Sequence, residues 1–189
     1  GVVIPRKGVL PLLKAFHLLR QCSSPNLSAP QLRIAGSTQV HPEYYAVCRD
    51  YVRENDLEET VTFLGHLAPE RVLEEYARCA ILVLPAFQET APIVVAEAMA
   101  AGVPLVATRA GGVPWMVEDG VTGFTLPLPS LPEGDPQALA RALARVLRDP
   151  VEARAMARRA QAEARERFHP RAVACRTYEV YEQVIQEGA

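Results

Sequence analysis

Residues 84–126 read LPAFQETAPIVVAEAMAAGVPLVATRAGGVPWMVEDGVTGFTL, and this stretch decides the fold. It starts where the short apolar run Ile81-Leu82-Val83-Leu84 is stopped by Pro85, the pattern of a buried strand. Thr90 can cap the helix that follows, and Pro92 suits its first turn. Ile93, Val94, Ala96, Ala98, Met99 and Ala100 make that helix apolar on nearly all sides, which predicts burial. A second apolar run leads to Gly111-Gly112, and a turn signal follows at Asp119-Gly120. Strand, polar turn and helix N-terminus together form a natural anion site.

Two carboxylates flank that turn. Glu89 precedes the helix and Glu97 lies about two turns into it, so at ~1.5 Å of rise per residue they stand roughly 10 Å apart. That is long for a glycosidase acid–base pair, at roughly 5 to 9.5 Å. It leaves room for a diphosphate over the helix N-terminus, with a hydroxyl-rich group at each end. A glutamate in so apolar a helix is costly unless paired, so Glu97 is predicted to face a polar cavity. On their own the two glutamates read more readily as turn caps or partners of arginines than as ligand contacts.

Working outward, apolar runs alternate with helical patterns, the mark of parallel α/β units. Strands are predicted at 2–4, 32–35, 61–63, 80–84, 105–107 and 123–126. Helices are predicted at 9–20, 42–55, 69–78 and 91–101, with a short one near 113–117. The expected fold is α/β, a Rossmann-like, doubly wound parallel sheet of about six strands. Lys7, His66, Glu89 and Gly111-Gly112 each follow a predicted strand, so all fall on the carboxyl edge, where such sheets bind ligands. Residues 126–136 read as a loop or linker and 23–30 as an exposed loop. Additional C-terminal helices follow at 136–148, 151–168 and 171–186. The expected division is a Rossmann-like core, 1–127, with the layout that a nucleotide sugar needs (sugar, diphosphate, ribose), and a linker with helices of the same domain, 128–189.

At 189 residues the chain is one domain long, and 49% apolar residues suffice for a core. A net charge of −2 predicts no bulk attraction to nucleic acid or membrane. Arginine-rich helices from Arg141 to Arg167 are interrupted by Glu152 and Glu163, which suits a solvated face. Cys22, Cys48, Cys79 and Cys175 are scattered and read as buried free thiols of a reducing compartment. No run approaches the ~20 apolar residues of a membrane span, and no signal peptide is visible. There is no Asp-x-Asp, so no metal is expected on the diphosphate. The chain has no initiating Met and opens inside a predicted strand, and so reads as a piece of something longer.

Glu89, seven intervening residues and Glu97-Ala-Met-Ala-Ala-Gly-Val-Pro resemble the signature of group 1 (family 4) retaining glycosyltransferases. Pro5-Arg6-Lys7-Gly8, Val61-Thr-Phe-Leu-Gly65, Gly111-Gly-Val-Pro114 and Glu118-Asp-Gly-Val-Thr-Gly123 fit the same pattern in the same order. The resemblance implies the C-terminal, donor-binding domain of a GT-B enzyme, with an N-terminal acceptor domain outside this chain. It implies transfer of a hexosyl-type sugar from a nucleoside diphosphate, UDP or GDP, to a carbohydrate or lipid-linked hydroxyl with retention. It also implies a cytoplasmic enzyme of carbohydrate biosynthesis, with peripheral contact at the inner face of the membrane left open, and a fragment that binds without turning over. No cofactor is expected.

By the same resemblance Glu89 contacts the transferred sugar and Glu97 the ribose, while the backbone of Thr90, Ala91, Pro92 and Ile93 faces the diphosphate. Lys7 stabilises the leaving group, with Arg6, His66, Gly111 and Gly112 lining the donor site. Two departures stand out. The family's usual arginine after the opening glycine is Val2, and Thr90-Ala91-Pro92-Ile93 replaces a small-aromatic-Gly-Leu sequence. Trp115 stands where a glutamate is usual; the expected roles are core, then stacking surface, then interdomain face. The rival reading is a catalytically inert nucleotide-sugar-binding or interaction module of the same fold; a nucleotide-sugar epimerase fits the motifs less well.

Overall fold

The computed structural model describes residues 1–21, 30–128 and 134–187. Cys22 and the loop predicted at 23–30, apart from Pro30, therefore lie outside the described residues, as does the middle of the 126–136 linker.

After a 3-10 turn at Pro5–Lys7 the order is α1 (Val9–Gln21), β1 (Leu32–Ala35), α2 (Pro42–Glu54), β2 (Val61–Gly65) and α3 (Pro69–Arg78). Then come β3 (Leu82–Leu84), α4 (Ile93–Ala101), β4 (Leu105–Thr108), α5 (Val113–Met116) and β5 (Phe124–Leu126). The chain ends in α6 (Pro136–Arg148), α7 (Pro150–Arg167) and α8 (Pro170–Glu187). β1 pairs in parallel with β2, and β3, β4 and β5 pair in parallel in that order.

The sixth predicted strand is shorter than expected. Val2 forms an isolated parallel bridge with Ser37, through Val3 N to Ser37 O at 2.9 Å and Ser37 N to Gly1 O at 3.0 Å. Pro5 has no N–H and opens the 3-10 turn, so the pairing does not extend past Val3. The same segment is tied to the three-stranded sheet by Phe87 N donating to Arg6 O at 2.8 Å. It lies between the two sheets, giving the doubly wound order β2-β1-(Val2)-β3-β4-β5.

Helices cover both faces. On one, Leu12, Leu13, Phe16, Val52, Val106, Leu139 and Leu143 form a single apolar cluster, in which α1 and α6 pack together. On the other, Val95, Met99, Leu105, Ala107, Ala160 and Ala164 form a second, in which the alanines of α7 let it sit against α4. Asp135 and Asp149 cap α6 and α7, each followed by a proline in the first turn.

Several expectations fail here for packing reasons. α4 buries Val95, Ala98 and Met99 but leaves Ile93 72% exposed, so it is covered on one side only. Thr90 does not cap α4: Pro92 occupies the cap position without a side-chain bond, because the helix starts one residue after it. Trp115 is 82% exposed and not core, since the short α5 buries Val113 instead. Cys48 is buried, but Cys79 is half-buried and Cys175 is exposed on α8, a helix with no buried residue. No helix of the described residues is long and apolar enough to cross a membrane.

Candidate functional site

Parallel strands place every strand exit on one edge. Lys7 follows the bridged segment, His66 follows β2, Glu89 follows β3, and Gly111-Gly112 follow β4. Glycines then draw these exits together. At Gly8 (φ +68°) a Cβ would lie 2.0 Å from Pro85 O, so only glycine lets the Lys7 turn approach the chain leaving β3. At Gly111 (φ +51°) a Cβ would lie 1.7 Å from Glu89 O, and Gly112 N donates to Thr90 O at 2.9 Å. Gly111 and Gly112 thus act first as the close-packed support of the Glu89–Thr90 backbone.

This packing brings Lys7 and Glu89 into contact. Lys7 Nζ donates to Glu89 Oε1 at 2.6 Å, with side chains 23% and 9% exposed. Arg6 is exposed, held through its carbonyl, and its guanidinium has no ion-pair partner among the described residues. Val2, at the position usual for arginine, is half-buried beside Ser37.

α4 begins beside this pair. Its first N–H groups, at Ile93 and Val94, precede the first turn's bonding, and no side chain caps them. Thr90 and Ala91 lie outside the helix, and Pro92 contributes no N–H. Glu97, predicted to face a polar cavity, is exposed on α4. Its Oε2 accepts from Tyr76 Oη at 2.9 Å. Burial first, and then the Glu97 carboxylate, push the Tyr76 phenol well above its ordinary range.

His66 is exposed at the end of β2 and makes no polar contact with Lys7, Glu89 or Glu97 among the described residues. A cavity of about 450 Å³ lies on the same side of the sheet, bounded by Pro11, Pro85, Phe87, Thr108, Leu126 and Asp135, and excludes the three charged residues. Among the described residues no three His, Cys, Asp or Glu side chains group as a metal would need. The Glu118–Gly123 motif is a turn support: Glu118 N donates to Thr122 Oγ1 at 2.9 Å and Thr125 N to Asp119 Oδ1 at 2.7 Å.

Sequence reasoning missed the Lys7–Glu89 pair and Tyr76. The first was signalled by opposite charges at two strand exits of one sheet edge. The second was signalled by a tyrosine on the inner face of α3, whose buried hydroxyl requires a partner.

The family model for glycosyl transferases group 1 matches residues 1–166. The chain belongs to the group 1 glycosyltransferases. It is 33% identical over 140 residues to D-inositol 3-phosphate glycosyltransferase of Corynebacterium kroppenstedtii, covering 74% of this chain and 30% of that protein. It is 29% identical over 146 residues to N-acetyl-alpha-D-glucosaminyl L-malate synthase of Bacillus anthracis, covering 77% and 36%. Anabaena Alr3699/HepE, solved with UDP and glucose, superposes with a TM-score of 0.84 at 26% identity, over 97% of this chain and 47% of HepE. The group 1 chain therefore spans about a third of the curated relatives it matches and about half of HepE. Its fold is that of a GT-B C-terminal domain, Rossmann-like as the motifs imply.

Proposed function

We propose that this domain binds the nucleoside-diphosphate sugar of a retaining glycosyltransferase, and that a second domain supplies the acceptor. The observation that carries the reading is the Lys7–Glu89 contact beside the uncapped start of α4. It puts a cation, a hydroxyl acceptor and free amides at one strand edge. HepE, which superposes over nearly the whole chain, is solved with UDP and glucose.

In this reading the diphosphate lies between Lys7 and the Ile93–Val94 amides, and Glu97 accepts from the ribose. Glu89 accepts from hydroxyls of the hexosyl group. When the glycosidic bond breaks, negative charge builds on the departing diphosphate. A fixed ammonium and the positive helix end stabilise it more in the transition state than in the ground state. The acceptor hydroxyl attacks from the leaving group's face, and its proton passes to the leaving phosphate. The donor site is proposed to work without a metal. The proposed setting is the cytoplasm, with a carbohydrate or lipid-linked acceptor, peripheral membrane contact at the inner face, and no turnover by this domain alone. The domain itself is proposed to comprise the 1–127 core together with the linker and helices of 128–189.

Val2 favours a second reading, an inert binding module, because it removes a cation from the phosphate side. Turnover of UDP- and GDP-hexoses by the full-length protein, with the product anomer assigned by NMR, separates the two. Transfer with retention supports the enzyme, and binding without turnover supports the module.

A further inference from the structure

Glu97 projects from the outer side of α4, where a glutamate samples several rotamers and loses that freedom when a ligand fixes it. Here one of its oxygens is already held, by Tyr76 Oη at 2.9 Å. Tyr76 is itself held by packing. It is 6% exposed and packs with Val72, Leu82, Val94, Ala98 and Val103. Its helix, α3, is clipped to β1 by a bidentate pair, Arg33 Nε and Nη2 to Glu75 Oε2 and Oε1 at 2.6 and 2.8 Å. The other acceptor within reach, Val94 O, is 3.5 Å away, at the limit of a hydrogen bond. The phenol therefore serves the carboxylate. A carboxylate offers about four acceptor sites, so one bond from Tyr76 leaves Oε1 and the rest of Oε2 for two neighbouring hydroxyls.

We propose that Tyr76 is a positioning residue for ribose recognition: its hydroxyl fixes the Glu97 carboxylate in the orientation that accepts a vicinal diol. This inference rests on the reading of Glu97 as the ribose ligand, and Tyr76 acts through Glu97 without touching the nucleotide. Its consequence is selective. The Tyr76 hydroxyl contributes to the preference for a ribonucleotide over one lacking both sugar hydroxyls, and not to binding of the base or diphosphate.

The test is calorimetry of the full-length protein with UDP and GDP, each against its 2′,3′-dideoxy counterpart, in the parent, Tyr76→Phe, Glu97→Ala and the double variant. Phenylalanine keeps every packing atom of the ring. Tyr76→Phe is expected to weaken the ribonucleotide about tenfold, the scale of one charge-assisted hydrogen bond. The dideoxy form stays near the parent value, so the preference narrows. Glu97→Ala removes the preference, and Tyr76→Phe then adds nothing. Equal weakening of both nucleotide forms by Tyr76→Phe, or an unchanged preference, makes Tyr76 a packing residue and overturns the inference alone. A preference that survives Glu97→Ala overturns the ribose reading beneath it. No binding of either diphosphate by the parent overturns the donor-site reading itself.

Discussion

Lys7 and Glu89, 82 positions apart in sequence, form one ion pair of 2.6 Å at the carboxyl edge of the sheet. Each neutralises a charge that the proposed reaction uses on a different part of the donor. In the proposed reading, a diphosphate entering the site shares Lys7 with Glu89 and frees part of that carboxylate for the sugar.

The pair should therefore be coupled in stability. Glu89 is largely shielded from solvent, so removing its partner leaves a poorly hydrated charge. Lys7→Met is expected to cost about 1–3 kcal/mol in urea unfolding. The Lys7→Met/Glu89→Gln double variant should recover at least half of that loss. Strictly additive losses would show that the two side chains do not sense each other.

On the proposed reaction, Lys7→Ala in the full-length protein should lower turnover by ~100-fold or more, as expected for a preorganised charge stabiliser. Val2→Arg should restore part of the lost rate, because it returns a cation to the family's usual position. Steady-state turnover of both single variants and the double variant checks this. A Lys7→Ala rate within a few fold of the parent would move the leaving-group role to Arg6 or to another domain.

Gly111 offers a steric test with a built-in control. Gly111→Ala would place a methyl 1.7 Å from Glu89 O, whereas at Gly120 (φ +76°) nothing lies within 4 Å of the added Cβ. Gly120→Ala should cost only the left-handed backbone strain, about 1–2 kcal/mol, and leave nucleotide binding intact. Gly111→Ala should cost more and displace Glu89 as well. Equal losses of stability and intact binding in both variants would contradict the close-packing account.

Alkaline pH should weaken the fold. Burial pushes the Tyr44 phenol from its ordinary 10.0 up to about 12 and the Cys48 thiol from 9.0 up to about 11. The folded protein then keeps protons that the unfolded chain releases, so this stability is full below about pH 9 and falls as pH rises through 9 to 12. Urea midpoints across that range should decline, with a shallower slope up to pH 11 in Cys48→Ala. A flat profile in the parent would contradict the burial argument.

How much of this was legible depended on which forces act locally. Helices α3 and α6 match their predicted bounds because a proline opens each first turn and a charged last turn closes it. The parallel strand exits were legible from alternation alone, so the edge carrying Lys7, His66, Glu89 and Gly111 was too. The start of α4 was not. Thr90 is a good cap by type, but its carbonyl is taken by Gly112 N, a contact between chain segments that no local pattern records. Apolar character likewise placed Ile93 in the core and ranked core first among the roles of Trp115, because composition says nothing about which face finds a partner. Tyr76 escaped notice because its role depends on the packing of α3 against α4.

The most direct measurement is calorimetric titration of the full-length protein and its Lys7→Ala variant with UDP and GDP, beside the matching nucleosides. The account predicts that one diphosphate binds the parent at millimolar concentration or tighter. Lys7→Ala should weaken that diphosphate at least tenfold, the scale of a charge-assisted contact, and leave the nucleoside unchanged. Absence of binding by both diphosphates, or a diphosphate affinity indifferent to Lys7, would contradict it.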